Sequence, residues 1–545
     1  MKLPLDDYSI MVPREVDNAE WGWVFTCSTL LLVVITVPFV LAYSLGEPDA
    51  TFVGILVNPM DGASYLAKMQ QGLHGNWLFR LPYTPEPHQG VFVYPFYLAL
   101  GHLARVFNLP AILIFHAARL IGSMLMFLSI YRFVADWTSS VEQRRLSWLL
   151  ATVGAGFGWL AFPLGTLTPD MLTVPEAFPL QAAYANAHFP WAIGAALLLA
   201  HTLIVKCLAD DSPYPGLDIE TIGLAAASVL LINVSPFMLA PIGLGFGAFL
   251  IWLAWRRREF PRREFDWGAV VLIFCLPFVA YNAWAFSSQN PVFNSWMSQN
   301  LTPSPPAWQY LVAFGPVLVL AAIGLTTLRR AIQPGDVFLL GWLLTNILLL
   351  YAPLGLQRRF SMGLIVPMAV YAGRGLWRVL LPRLPKPRRA LALVLTFAMF
   401  MPTTVLALVI PVRMATQWLR EDGGQYYISH SEEQVFEWLA EHAPGAVVLA
   451  SPETGLHLPV YDVRVVYGHS METINAAERG AAVLAFFSGE DCSVLSDESV
   501  DYVLVGPRER ELAGSESCAI AGPAVYQTPG DGDVIIYATR ATTTH

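Results

Sequence analysis

The sequence predicts an α-helical polytopic membrane protein of about eleven transmembrane helices, with a C-terminal soluble α/β domain. Three observations lead to this fold class. Of the 545 residues, 55% are hydrophobic and only 13% are charged, and the mean hydropathy is +0.50. Apolar runs of about 20 residues, the length that crosses a bilayer, recur through the first 412 residues. Beyond residue 412, short β-branched runs alternate with helical patterns.

The membrane part is predicted from its apolar segments. Those long enough to span a bilayer are 24–45, 111–133, 147–164, 190–208, 220–233, 236–255, 268–286, 309–327, 336–352, 360–380 and 390–412. The first follows a polar head, is too long for a signal peptide and has no small-residue cleavage site after it. We therefore expect it to be retained as a span.

The distribution of Lys and Arg predicts the orientation, because cytoplasmic loops near membrane ends are enriched in these residues. With a cytoplasmic N-terminus, 19 of the 32 basic residues fall on the inner side. This arrangement requires the segment 91–107 to lie along the outer surface or to re-enter, since a full crossing there would invert every later loop. The chain is predicted to lie in the cytoplasmic membrane with its C-terminal domain outside.

The tail has a different composition from the rest. Residues 413–545 contain seven Arg, no Lys and 20 acidic residues, a net charge of −13 against −9 for the whole chain. A capping-box pattern at Ser431-Glu432-Glu433-Gln434 predicts the start of an amphipathic helix. Predicted strands follow at 447–449, 463–467, 502–505 and 534–537, with a helical pattern over 472–487. The predicted domains are a transmembrane part, 1–412, with an outer loop, 46–110, and an extracytoplasmic α/β domain, 413–545.

Two cysteines, Cys492 and Cys518, lie in the tail, where an oxidising compartment would permit a bridge worth roughly 3 kcal/mol. The sequence leaves open whether they are paired. It contains no metal-type cysteine or histidine cluster, phosphate loop or nucleic-acid motif. We therefore expect membrane lipids among its partners and no nucleic acid.

Asp61 is the first candidate for chemistry. Asn58-Pro59 before it and Gly62 after it favour a turn, so the carboxylate has a fixed loop position. If the chain is helical from Ala63 onward, Asp61 lies near the positive end of the helix dipole, which favours the ionised form that a base requires. The alternative is that Asp61 only caps this short helix.

The second candidate is the pair Arg358 and Arg359, which lies between two apolar segments on the side that should lack basic residues. Adjacent guanidinium groups at an outer boundary suit the oxygens of a lipid phosphate. The alternative is ordinary contact with bulk lipid headgroups.

A further outer loop supplies Asp170 and Glu176, followed by His188 at the start of a span. Two carboxylates from different loops could hold a divalent cation or divide acid and base roles with Asp61. The alternative is that both are solvated loop residues. His188 could donate to a phosphate or sugar hydroxyl, although a single histidine at a helix start is more often structural. The sequence does not identify a metal.

Four segments together resemble a known family. They are "NPMDGASYLAKMQQGLHGNWLF" around Asp61, "YANAHFP" before the fourth span, "QRRFSMGLIVP", and the tail with "VVYGHSMET" and "YVLVGPRER". These look like bacterial polytopic glycosyltransferases of the GT-C fold. The resemblance implies a polyprenyl-phosphate sugar donor, a lipid, glycan or protein acceptor reached from outside, and inversion at the anomeric carbon.

Two site assignments follow from the resemblance. Asp61 occupies the position of the catalytic acid of the first loop, and Arg358 with Arg359 that of the late outer loop thought to face the donor phosphate. Many members have paired acids in the first loop, whereas Gly62 follows Asp61 here, so a metal requirement is not assigned. His469 and Thr473 in the tail could close over the acceptor, although a structural cap is the favoured interpretation.

Two other classes of function are alternatives. A polytopic transporter or lipid flippase would also be apolar, but such proteins usually show internal repeats and ionisable residues near mid-membrane. Here the candidate charges gather at one face. A non-catalytic envelope assembly protein that uses the tail as a binding module would be indifferent to the loss of Asp61.

Overall fold

The structure is a computed structural model. It describes residues 15–46, 49–138, 140–161, 163, 174–209, 212–329, 332–420, 424–513, 518–529 and 533–539, without the side chains of 418–420. Within these ranges eight helices are long and apolar enough to cross a membrane: Asn18–Ser44, Ala111–Asp136, His188–Leu208, Pro236–Arg257, Arg262–Ala285, Ala307–Arg329, Gln357–Arg383 and Lys386–Gln417. The prediction of a multi-pass helical membrane protein is confirmed.

The individual predicted spans correspond to helices with one exception. Two shorter apolar helices, Ile219–Val234 and Pro334–Leu349, account for two further predicted spans. The exception is 147–164, where the helix covers only Val141–Val153. A Cβ on Gly154 would lie 2.0 Å from the Leu150 carbonyl oxygen, and one on Gly156 would lie 2.0 Å from that of Val312. The glycines let the chain leave the helix and pack closely, so the span count of eleven is not confirmed.

The described residues form two compact units. The first unit comprises Met1–Thr36, Ala118–Ala280 and Thr302–Val409, and its described part is helical. Two buried ion pairs and one carboxylate–histidine contact connect its helices at one end: Glu20 with Arg144 at 2.9 Å, Asp336 with Arg374 at 2.6 Å, and Asp136 with His201 at 2.6 Å. The Arg374 side chain also donates to the Trp137 carbonyl at 3.3 Å, which links two of these pairs.

The opposite end of the first unit carries the arginine pair. Helix Pro334–Leu349 begins near Asp336, and ten residues later Asn346 donates a hydrogen bond to the Phe360 carbonyl. Ten helical residues correspond to about 15 Å. The turn that contains Arg358 and Arg359 therefore lies at the other end of this unit from the Asp336–Arg374 pair.

The second unit comprises Val37–Ala117, Tyr281–Leu301 and Ile410–His545. Its strands are β1 Ala50–Phe52, β2 Tyr427–Ser429, β3 Val447–Leu449, β4 Arg464–Val465, β5 Tyr502–Val505, β6 Ala524–Gln527 and β7 Ile535–Ala538. Five of them form a mixed sheet in the order β4-β3-β5-β7-β6, in which β4, β3 and β5 are parallel and the last two pairings are antiparallel. The predicted α/β tail is confirmed, with β2 and β6 as strands that the prediction missed.

The helices of the tail are His430–His442, Pro452–His457, Ala476–Ser488, Val494–Asp497 and Pro507–Leu512. The predicted capping box is displaced by two residues, because the N-cap is Ser429 and its partner is Glu432. Both Ser429 and Ser431 precede an acid or amide by three positions, and the chain uses the first pattern. Cys492 and Cys518 form a disulfide, with their Cα atoms 5.6 Å apart.

The first loop and the tail meet within the second unit. Strand β1 of the loop pairs antiparallel with β2 of the tail, with Ala50 opposite Ser429 and Phe52 opposite Tyr427. Further along the loop, the Tyr83 hydroxyl donates to the Leu456 carbonyl at 2.9 Å. The predicted boundary at 412/413 assigned the loop to the membrane part, whereas these contacts group it with the tail.

Helix Pro95–Phe107 covers most of the segment whose crossing was in question. Its 13 residues span about 20 Å, less than the roughly 30 Å of a bilayer core. It packs closely on helix Pro59–Leu73, because a Cβ on Gly101 would lie 2.0 Å from the Met69 carbonyl oxygen. The helix pair belongs to the second unit and carries Asp61.

Candidate functional site

Asp61 lies in the first turn of helix Pro59–Leu73. Asn58, in a left-handed conformation with φ of 52°, is the N-cap residue, and Pro59 follows with its fixed φ. The N-cap position therefore belongs to Asn58 and not to Asp61. The Asp61 carboxylate is 46% exposed and lies at the positive end of the helix dipole. These features provide an accessible carboxylate on a rigid element.

His469 of the tail approaches this carboxylate. Its Nε2 lies 3.7 Å from Asp61 Oδ1, and its side chain is only 2% exposed. Its Nδ1 accepts the backbone N–H groups of Met471 and Glu472 at 3.1 and 3.2 Å. Because Nδ1 accepts, the neutral imidazole carries its proton on Nε2, the atom that faces Asp61.

Thr473 supports the same turn. Its hydroxyl oxygen accepts the His469 backbone N–H at 3.3 Å. Its carbonyl accepts a hydrogen bond from the Gln299 side chain at 2.5 Å, which ties the turn to helix Pro291–Gln299 of the second unit. The two tail residues singled out in the sequence thus lie in one turn, and the structure places His469 next to Asp61.

A buried ion pair lies behind Asp61. Lys68, whose side chain is 1% exposed, approaches Glu472 Oε1 to 2.7 Å. The Ser64 hydroxyl donates to the same oxygen at 2.6 Å and accepts from Lys68. Burial raises the pKa of Glu472, but the Lys68 charge and these hydrogen bonds outweigh it, so the pKa is lowered overall. Glu472 is therefore held ionised.

Aromatic rings surround this pair. The Lys68 ammonium lies 4.6 Å from the ring centroid of Tyr94 and 5.0 Å from that of Phe79. The Tyr83 ring lies 5.4 Å from the His469 ring. Burial, followed by the charges of Glu472 and Asp61, raises the pKa of Tyr83 well above its ordinary value, so it stays a neutral phenol. Phe79 and Tyr83 are fully buried, so these rings shield the Lys68–Glu472 pair from solvent.

Sequence reasoning missed Ser64, Lys68 and Glu472. A signal was present in the helix, since Asp61, Ser64 and Lys68 follow one another at i, i+3 and i+7, which places them on one helix face. No local pattern points to Glu472, because it is 404 positions beyond its partner.

In the first unit, the turn Gln357–Ser361 presents the two arginines. Arg358 Nε lies 3.6 Å from Glu176 Oε1, and the Glu176 side chain is 6% exposed. Main-chain bonds fix the turn: the Arg358 N–H donates to the Thr302 carbonyl at 3.0 Å, and the Gly363 N–H donates to the Glu176 carbonyl at 3.0 Å. The Nε atoms of Arg358 and Arg359 are buried and have no hydrogen-bond partner among the described residues.

The other predicted site residues are placed as follows. Glu176 lies beside a guanidinium and is buried, so it is not the solvated loop residue of the alternative interpretation. His188 is the first residue of helix His188–Leu208, with its ring 4.3 Å from that of Phe189. Asp170 lies outside the described residues.

The described residues contain no group of three or more His, Cys, Asp or Glu side chains that could hold a metal ion. Near Asp61, the ammonium of Lys68 supplies the positive charge that balances Glu472. This donor set does not fit a divalent cation. The suggested cation stays an untested prediction.

Comparison with known proteins gives matches in fold. No protein-family model and no curated protein matches the sequence. ArnT from Cupriavidus metallidurans in the apo state is 13% identical with a TM-score of 0.53, over 96% of this chain and 99% of that chain. The same enzyme bound to undecaprenyl phosphate gives 14% and 0.52 over the same shares.

A third match covers a smaller share of both chains. The archaeal oligosaccharyltransferase AglB from Archaeoglobus fulgidus, in complex with an inhibitory peptide and a dolichol-phosphate, is 13% identical with a TM-score of 0.50, over 87% of this chain and 69% of that chain. These structures are GT-C glycosyltransferases. The chain therefore has the GT-C fold.

Proposed function

We propose that this chain, with the fold of the GT-C glycosyltransferases, is a membrane glycosyltransferase. It moves a sugar from a polyprenyl-phosphate donor to an acceptor hydroxyl on the outer face of the cytoplasmic membrane. The observation that carries the proposal is the accessible Asp61 carboxylate, fixed in the first turn of its helix beside His469. The undecaprenyl phosphate and dolichol-phosphate bound by the similar proteins support the choice of a polyprenyl-phosphate donor.

In this mechanism Asp61 is the general base. It takes the proton of the acceptor hydroxyl while that oxygen attacks the anomeric carbon. The bond between the anomeric carbon and the phosphate oxygen breaks, and its electron pair leaves with the lipid phosphate. Because attack and departure occur on opposite faces, the anomeric configuration inverts. Phosphate is a good leaving group, so no strong general acid is required.

Arg358 and Arg359 are assigned to the donor phosphate. Charge grows on that phosphate as it leaves, and fixed guanidinium donors stabilise it more in the transition state than in the ground state. The proximity of Glu176 restricts the rotamers of Arg358, and the main-chain bonds of the turn fix its base. The buried Nε of Arg359, which has no hydrogen-bond partner among the described residues, supports a ligand at this turn. His188 is retained as a candidate donor to the same ligand.

The orientation of the chain in the membrane is proposed from the two ends of the first unit. The turn with Arg358 and Arg359 lies at the opposite end from the Asp336–Arg374 pair, where other basic side chains also lie. By the enrichment of basic residues inside, the end with several pairs is assigned to the cytoplasm and the arginine turn to the outer face. The acceptor is a lipid, a glycan or a protein.

The test combines the purified protein with a panel of polyprenyl-phosphate sugars and measures donor consumption. Asp61→Asn should lower turnover by about 10²–10⁴-fold, the usual contribution of a general base. Asp49→Asn is the matched control, because Asp49 is exposed in the same loop, and it should retain parental turnover. Undiminished turnover in Asp61→Asn would assign the base elsewhere. Movement of intact donor across a vesicle, without consumption, would instead indicate a transporter.

The arginines are tested separately. Arg358→Gln and Arg359→Gln should raise the KM for the donor and lower kcat, while the midpoint of thermal unfolding changes little. Arg413→Gln, at an exposed arginine, is the control for loss of charge alone. If stability falls in parallel with donor use, the pair serves as a structural anchor and not as a phosphate ligand.

A further inference from the structure

The proposed reaction leaves the tail histidine without a role. The turn His469–Thr473 holds it rigidly, since its carbonyl accepts the Glu472 and Thr473 N–H groups at 3.2 and 2.8 Å. Its ring nitrogen Nδ1 accepts the Met471 and Glu472 N–H groups, as described above. Rotation or a flip of the ring would break these bonds, so the direction of Nε2–H is fixed.

The fixed Nε2–H is buried and has no hydrogen-bond partner among the described residues. A buried donor without a partner usually costs about 1–3 kcal/mol, and such a group in a folded protein calls for an explanation. The acceptor that it faces is Asp61 Oδ1 at 3.7 Å. Because the Asp61 side chain is 46% exposed, a small side-chain rotation can bring its oxygen into hydrogen-bond range.

His469 is not itself a base in this arrangement. Its Nδ1 is occupied by two N–H donors, and its Nε2 carries the proton. The groups packed around it are the ionised pair of Lys68 and Glu472 and the neutral Tyr83. The imidazole can therefore donate to Asp61 but cannot take a proton without breaking the turn.

We infer that His469 is a positioning residue for Asp61. Its Nε2–H donates to Oδ1 and orients the carboxylate, so that the other oxygen takes the proton of the acceptor hydroxyl. The tail is then part of the catalytic machinery and not only a cap. This inference rests on the proposed role of Asp61 as the base.

Two substitutions of His469 distinguish the roles of its two ring nitrogens. His469→Asn places an amide oxygen where Nδ1 accepts the backbone N–H groups, but it is too short to reach Asp61. His469→Gln can place an amide N–H where Nε2 lies, but it loses the acceptor of the turn. We expect His469→Asn to keep the parental midpoint of thermal unfolding and to lose about 10–100-fold in kcat at unchanged KM, the effect of a misplaced catalytic group. We expect His469→Gln to recover most of the kcat despite a lower midpoint.

The same variants are then combined with Asp61→Asn. If His469 acts through Asp61, His469→Asn causes no further loss in that background. Ser470→Ala, at an exposed position of the same turn, is the control and should match the parent. Parental kcat in His469→Asn, or a His469→Gln variant no faster than His469→Asn, would overturn the inference. Retained turnover in Asp61→Asn alone would instead overturn the proposed function, whatever the His469 variants do.

Discussion

The helix that carries Asp61 and the turn that carries Arg358 are held in different ways. Side chains of the distant tail hold the helix, through the Lys68–Glu472 pair and the approach of His469. The arginine turn is held by two main-chain hydrogen bonds. The Arg358 N–H donates to the Thr302 carbonyl, and the Gly363 N–H donates to the Glu176 carbonyl. Side-chain anchors can be removed by substitution, whereas main-chain bonds survive it.

This difference separates two kinds of mutational effect. Substitutions behind Asp61 should change stability and catalysis together, because the position of the proposed base depends on the fold of the tail. Substitutions of the arginines should change donor use much more than stability. Arg358→Gln, which is expected to unfold much like the parent, is the common reference for substitutions in the second unit.

The largest effect is expected from Lys68→Met. It leaves the Glu472 carboxylate buried without its cation, and breaking a buried pair costs about 3–5 kcal/mol. Chemical unfolding of the purified protein measures the loss, and turnover should fall with it. Because the pKa of Glu472 is lowered in the folded protein, the pair stabilises the parent at pH values above the ordinary pKa of a glutamate. This stabilisation is lost as the pH falls through the lowered pKa.

Two companions calibrate this result. Adding Glu472→Gln to Lys68→Met should recover part of the stability, since no charge is then left unpaired. Lys206→Met removes a Lys–Glu pair whose carboxylate is 47% exposed and should cost less than about 1 kcal/mol. Equal losses in Lys68→Met and Lys206→Met would contradict the special role of the buried pair.

The next effect comes from the disulfide. Replacing Cys492 and Cys518 together by Ser opens a loop of 26 residues, which costs on the order of 3 kcal/mol. Neither cysteine touches the Asp61 region in the contacts described above, so kcat should be unchanged below the unfolding transition. Thermal unfolding with and without reductant, together with donor turnover, checks both parts. A loss of kcat in the folded state would show that Asp61 depends on the whole sheet and not only on the turn at His469.

Gly101→Ala should have an intermediate effect. The added Cβ would lie 2.0 Å from the Met69 carbonyl oxygen and push the two helices of the loop apart. Such overpacking costs about 1–3 kcal/mol. Gly223→Ala is the matched control, since a Cβ at this helical position meets nothing within 4 Å. The difference between the unfolding midpoints of the two variants measures the close contact; no difference would contradict it.

The smallest effect is expected at Asp462, which lies 3.0 Å from His74 at the end of the Asp61 helix. Burial raises the pKa of Asp462 more than His74 lowers it. The folded parent therefore holds the Asp462 proton more tightly than the unfolded chain does. It should lose a little stability as the pH rises from below the ordinary pKa of an aspartate through the raised pKa. Asp462→Asn, which tolerates the positive φ of 60°, should remove this pH dependence and change stability by less than about 1 kcal/mol. An identical pH profile in both proteins would contradict this explanation.

Local signals made much of the fold predictable. Apolar runs gave most of the membrane helices, and Asn58-Pro59 predicted the turn before Asp61. The wrong span, 147–164, is apolar enough but contains Gly154 and Gly156, whose close contacts only the folded chain shows. Strand β6 was missed because it lies at the edge of the sheet, where its residues are largely exposed.

The candidate site was predictable only in part. Asp61 and the arginines are marked by their chemistry and their place along the chain. Lys68 was counted as one more basic residue, because its partner Glu472 is distant in sequence and only the fold brings them together. Long-range pairs leave no periodic pattern; His469 was named as a candidate, but its approach to Asp61 was not predictable for the same reason.

The contacts between the first loop and the tail can form only late in biosynthesis. At about 5–20 residues per second, the ribosome needs roughly 20 to 80 s to extend the chain over the 404 positions from Lys68 to Glu472. During that interval the nascent first loop has neither its partner strand nor its counter-charge. A polypeptide released early would thus contain Asp61 without the tail residues that surround it, and we expect such fragments to be inert.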